Sequence, residues 1–169
     1  ARVNELIAEG GGSGSGDHPV KAGEGENSIM SLGAKSASGK DSVALGSNTS
    51  ASGANSIALG SSASATQMLS TAIGMACSAT NNYATAIGSN VSASSARQMV
   101  IGRYNEKDAN ATFIIGNGSG LTTKQNAMTI DEANQVYFPG TVVVGTDKAE
   151  IATKAYVDEV LGVIENGSY

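Results

Sequence analysis

Six glycines at an unbroken spacing of 14 constrain this chain more than any other feature. Gly46, Gly60, Gly74, Gly88, Gly102 and Gly116 close the short apolar runs DSVALG, NSIALG, STAIG, YATAIG, QMVIG and TFIIG. Gly33, in NSIMSLG, stands 13 residues before Gly46 and reads as an imperfect first turn. Other columns keep the same phase. Each glycine is preceded by Leu45, Leu59, Ile73, Ile87, Ile101 or Ile115, and one place earlier stands Ala44, Ala58, Ala72, Ala86, Val100 or Ile114. Ala51, Ala65, Ala79 and Ala93 follow the first four glycines at a fixed distance. A period of 14 is too short for helical-pair, leucine-rich or propeller repeats. It suits one coil of a β-solenoid, with two strands of about five residues joined by two tight turns.

The repeat changes the meaning of the composition. Ala, Ser and Gly supply 69 of the 169 residues, while Leu, Ile, Val and Phe supply only 32, and there is no Trp. Such a chain has few large side chains to offset the entropy of ordering a compact globule, so composition alone would allow disorder. In a solenoid the stacked backbones supply the hydrogen bonds, small residues fill a narrow interior, and glycine permits close approach or positive φ at a turn. Neighbouring residues of a strand point to opposite faces. The expected coil interior is one of the two columns, Leu45, Leu59, Ile73, Ile87, Ile101 and Ile115. The opposite column, Ala44, Ala58, Ala72 and Ala86, is expected to meet identical copies around an axis, where alanine lets backbones come close.

Charge and chemistry argue against catalysis. The formal net charge is −5, and no basic patch suggests nucleic acid. No apolar run approaches the roughly 20 residues of a membrane helix, so no membrane insertion is expected. Between Asp41 and Glu106 the chain has no Asp, Glu or His, and its only charges there are Arg97 and Arg103. Acid–base work needs carboxylates or imidazole within hydrogen-bond reach, so the repeats are expected to hold no catalytic site. GAKSASGKD, Gly33 to Asp41, misses the phosphate-loop pattern, with five residues between its glycines and Asp41 where a hydroxyl should stand. His18 reads as a solvated histidine beside a flexible linker, and Cys77, the only cysteine, as an unreactive small residue. No metal and no cofactor are expected.

The flanks differ from the repeats. Asn126 to Ile130 alternates, Asp131 to Asn134 is a turn signal, and Gln135 to Phe138 resumes a strand before Pro139-Gly140. Thr141 to Val144 is a further short β run. EIATKAYVDEVLGVIENG reads as a helix with Thr153 as N-cap and an apolar stripe of Val157, Leu161 and Ile164, which a three-stranded bundle would cover. ARVNELIAE has helical spacing but is too short to stand alone, so it reads as the end of a coiled coil. GGGSGSGD is a flexible linker by composition.

NSIALGSSASA and YATAIGSNVSAS resemble the head repeats of trimeric autotransporter adhesins, the YadA-like head. That resemblance covers about residues 27–116 and implies a left-handed parallel β-roll with three chains side by side. NAMTIDEANQVYFPGTVVVG followed by ATKAYVDEV is similar to segments of bacteriophage tail, baseplate and head fibres. The expectation is thus a mainly β, homotrimeric chain with short flanking coiled-coil helices. Its parts are the end of a coiled coil (1–9), a linker (10–26), the β-roll head (27–116), a β-hairpin fibre module (117–149) and a trimeric helix (150–169). The expected function is a non-enzymatic phage fibre segment on the virion surface. It would join other virion proteins through its N-terminus and have a host cell-surface glycan or protein as candidate partner. The alternative is the head of a bacterial surface adhesin.

Overall fold

The computed structural model describes residues 20–140 together with 143–144 and 149–150. Among these residues every regular element is a β-strand. The expected N-terminal helix, His18 and most of the linker lie outside the described residues. So does the C-terminal helix with Val157, Leu161 and Ile164.

The 14-residue phase is a parallel ladder. Strands β2 (Ile29–Ser31), β4 (Val43–Ser47), β6 (Ile57–Ser61), β8 (Thr71–Met75), β10 (Thr85–Ser89), β12 (Met99–Arg103) and β13 (Ala111–Asn117) pair in sequence order. Their register joins each residue to the one 14 later: Ala44 to Ala58, Ala58 to Ala72, Ala72 to Ala86, Ala86 to Val100, and Val100 to Ile114. A second, five-stranded sheet stacks β3 (Ser36–Ala37), β5 (Ser50–Ala51), β7 (Ser64–Ala65), β9 (Ser78–Ala79) and β11 (Ser92–Ala93). The coil is thus a parallel β-solenoid of about six turns. Its second strand is shorter than expected, two residues rather than about five, because the rest of the coil is spent on turns.

Each coil turns through backbone that L-residues avoid. Gly46, Gly60, Gly74, Gly88 and Gly102 have φ between 105° and 137°, a region open only to glycine. A Cβ on any of them would also run into the carbonyl oxygen of the glycine one coil later. Gly116 shares the phase for a different reason. It carries no left-handed φ, and a Cβ there would meet the Arg103 carbonyl and the Asn105 Cβ, both at 2.8 Å. Gly33 is no counterpart at all. Ile29 pairs with Val43 and Met30 with Ala44, so the first coil is also 14 residues long and Leu32 takes the glycine's place in the count. The Ser31 hydroxyl there bonds the Gly46 amide nitrogen at 2.8 Å in place of a backbone rung.

The two columns face the reverse of the expected way. Ala44, Ala58, Ala72, Ala86, Val100 and Ile114 are fully buried inside the single chain. Leu45, Leu59, Ile73, Ile87, Ile101 and Ile115 lie on the outer face, half-buried. The reason is width. Only Asn48 and Thr49 separate β4 from β5. The facing strand also contributes small residues, Ala37, Ala51, Ala65, Ala79 and Ala93, all fully buried. An interior this narrow closes on alanine and would be overpacked by leucine.

The interior carries one serine column, Ser28, Ser42, Ser56 and Ser70, continued by Ala84. Ser70 Oγ donates to the Gln67 carbonyl at 2.6 Å. The hydroxyls of Ser42 and Ser56 are buried without a partner. An unpaired buried hydroxyl costs free energy, whereas a paired one contributes about 1 kcal/mol. Ser56→Ala is therefore expected to leave the urea midpoint unchanged or raise it, while Ser70→Ala lowers stability by about 1 kcal/mol. Equal losses from both variants would refute this distinction.

The end strands are antiparallel. β1 (Val20–Ala22) pairs with β2, so residues 20–22 are part of the sheet rather than of a linker. At the other end β14 (Asn126–Asp131) pairs with β13, and β15 (Val136–Tyr137) pairs with β14. The turn between β14 and β15 is the one read from the sequence, with Asn134 at φ 60° and the Asp131 carboxylate accepting from the Gln135 amide at 2.8 Å. The hairpin continues the sheet of the roll, so no boundary falls at residue 116. The compact unit runs to Tyr137, and a second begins at Phe138. In that second unit β16 (Val143–Val144) pairs with β17 (Ala149–Glu150), which places Glu150 in a strand rather than a helix.

Candidate functional site: the outer face and the closed ends of the roll

The outer face of the long sheet is built by two adjacent columns. One is Leu45, Leu59, Ile73, Ile87, Ile101 and Ile115. The other is Val43, Ile57, Thr71, Thr85, Met99 and Phe113, of which Ile57 and Met99 are exposed. Both arise from the same alternation that sends the Ala44 column inward. The result is an apolar strip along the ladder with no carboxylate on it. The expected copy-to-copy contact at Ala44, Ala58, Ala72 and Ala86 is not available, because those side chains are consumed inside the coil.

The ends of the short sheet are closed by side chains. Along this sheet the Ser50, Ser64 and Ser78 amides donate to the carbonyls of Ala63, Cys77 and Val91 in the next coil, each at 2.9 Å. At Ser92 the next backbone is missing, and the side chain of Asn105 replaces it. Its Oδ1 accepts from the Ser92 amide at 2.8 Å and its Nδ2 donates to the Ser92 carbonyl at 3.2 Å. Asn126 repeats the device on Glu106, at 2.9 and 3.1 Å. Gln98 is buried beneath them, accepting from the Ser94 amide at 2.9 Å and donating to the Asp108 and Ala111 carbonyls at 2.7 Å each. These amides pair backbone groups that the ladder leaves without a rung.

At the N-terminal edge the acceptor is a carboxylate. Glu24 Oε2 takes the Ala37 amide at 2.8 Å and the Ser36 hydroxyl at 3.2 Å. The Ala37 bond holds the Glu24 carboxyl below its ordinary range. An exposed strand edge is a template for unwanted pairing, and both closures blunt it. Gln98, Asn105, Asn126 and Glu24 were not among the residues expected to matter. A signal was present for two of them. Asn105 breaks the column Thr49, Ala63, Cys77, Val91, and Gln98 breaks the Ser/Ala column, both in the last coil.

Cys77 belongs to the interior column. It is fully buried, its Sγ lies 3.1 Å from the Gly88 carbonyl, and burial pushes its thiol up from the ordinary value. Among the described residues no three His, Cys, Asp or Glu side chains gather as metal ligands.

The repeats have a recognised likeness. Residues 37–63 and 51–76 match the YadA head domain repeat in two overlapping copies, which together span just under a quarter of the chain. No curated protein matches the chain. Neither comparison supports a phage fibre. The head repeats fit the adhesin alternative better. The parallel solenoid and the repeat agree with each other, and at this level the chain carries a β-roll similar to the YadA head.

Proposed function

We propose that the chain is the head segment of a trimeric surface adhesin, exposed outside a bacterial cell and without enzymatic activity. The observation that carries this reading is the apolar strip on the outer face. Leu45, Leu59, Ile73, Ile87, Ile101 and Ile115 stay apolar through six successive coils, after Ser31 in the first, although the single chain leaves them half-exposed. A solvated strand face alternates to polar residues, so an unbroken apolar column points to a covering partner. A second copy of the same strip is the partner that matches it in length and rise. Burial at about 25 cal/mol per Å² would then supply the hydrophobic stabilisation that an alanine interior lacks. The function follows from geometry. Three stiff rolls hold turn residues at fixed heights, and weak contacts from three copies add by avidity.

The test is the mass of the chain in solution. Sedimentation equilibrium is expected to give three chains per particle, and the double variant Ile73→Lys, Ile87→Lys is expected to give one. A monomeric parent chain would overturn the proposal.

A further inference from the structure

Both turn columns of the roll have left-handed backbone, and one of them carries large, exposed side chains. Asn27, Asp41, Asn55, Leu69, Tyr83 and Arg97 occupy the same turn of successive coils, all with φ between 54° and 61°. Asn and Asp adopt this left-handed backbone readily, because their short polar side chains bond locally. Leu, Tyr and Arg do not, and a buried contact would normally offset the cost. Here Leu69 is 45% exposed, Tyr83 is 46% exposed and Arg97 is exposed. The upstream coils place Asn or Asp at this turn, so Leu69, Tyr83 and Arg97 hold a left-handed backbone that their side chains do not favour.

The ridge is ordered from below. The amides of Leu69, Tyr83 and Arg97 donate to the carbonyls of Ala54, Met68 and Asn82 in the preceding coils, at 2.9, 3.0 and 2.9 Å. The three side chains therefore stand at the coil rise of about 4.8 Å. The Arg97 guanidinium lies over the Tyr83 ring, 5.9 Å from its centroid. This cation–π contact keeps the guanidinium beside the ring and leaves its N–H groups open to an oxoanion. Among the described residues no carboxylate forms an ion pair with it. The chain has no Asp or Glu between Asp41 and Glu106, and the ion pair among the described residues joins Lys40 to Glu26.

We propose that Leu69, Tyr83 and Arg97 form a binding site for a carboxylate-bearing polysaccharide. Arg97 takes the carboxylate bidentately, and Tyr83 and Leu69 take the apolar face of the neighbouring sugar. A single cation in a chain of net charge −5 suits a polymer of sparse charge rather than a dense polysulfate. The site deepens the adhesin reading and rests on it for the avidity of three copies.

The experiment measures binding of the full chain to immobilised hyaluronan, with dextran as the uncharged control and the particle mass measured in parallel. Arg97→Asn is the informative variant, because Asn27 and Asn55 show that asparagine suits this turn. The expected result is binding to hyaluronan and not to dextran, at least tenfold weaker for Arg97→Asn and Tyr83→Asn and unchanged for Arg103→Ala. No hyaluronan binding by a three-chain particle overturns the site and leaves the assembly intact. Arg97-dependent binding by a single chain supports the site and overturns the assembly. Equal weakening by Arg103→Ala, or release of single chains by Arg97→Asn, overturns the site as a charge effect or as a subunit contact.

Discussion

Gly74→Ala abolishes the cooperative unfolding transition of the roll, or lowers its stability by about 4 kcal/mol or more. Two independent penalties meet at this residue. Its φ of 123° lies where an L-residue is strained, and the new methyl would run into the Gly88 carbonyl oxygen. Neither can relax locally. Moving Gly88 displaces the rung to Gly102, and the clash recurs along the ladder. Since domains are stable by only about 5–15 kcal/mol, one such substitution consumes much of the margin. The control is Gly33→Ala. The nearest atom to its Cβ is 3.6 Å away and its φ is not left-handed, so the change should stay within about 0.5 kcal/mol. Circular dichroism during thermal and urea unfolding checks both. A Gly74→Ala protein as stable as Gly33→Ala would refute the role of the glycine column.

Gln98→Ala produces the next largest loss, about 3–4 kcal/mol, from orphaned groups that cost about 1–3 kcal/mol each. The amide serves Ser94 on one side and the Asp108 and Ala111 carbonyls on the other, and it is buried at 1% exposure. Truncation leaves those groups, one buried and two part-buried, without their partner and opens a cavity under the last coil. Hydrogen exchange should localise the damage. Protection at the amides of Ser94 and Ser95 falls first, while the ladder between β4 and β8 keeps its protection until global unfolding. Uniform loss of protection along the roll would show that Gln98 does not act as an end closure.

The contrast between these two variants shows what could be read in advance. The glycine phase is a one-dimensional pattern, and the parallel ladder repeats it residue for residue. The turn between β14 and β15 was equally legible, since Asp131 and Asn134 bring their own turn chemistry. The end closures were not. A buried amide is defined by the backbone it satisfies, and Ser92 and Asn105 become neighbours only once the coil is wound. The same limit applies to Leu69, Tyr83 and Arg97. Their spacing is plain in the sequence, but the left-handed backbone beneath them is set by the turn they share with Asn27, Asp41 and Asn55.

The period, the pairing partners and the alternation of faces follow from residue order alone, because in-register stacking copies a linear repeat directly into space. Which face is inside follows from packing. Leu45 and Ala44 are both apolar, and alternation places them on opposite sides without ranking them. The tight turn at Asn48 and Thr49 brings the two strands of a coil so close that alanine fills the gap. The larger Leu and Ile column is thereby turned outward, where it becomes the surface through which the roll can meet another chain.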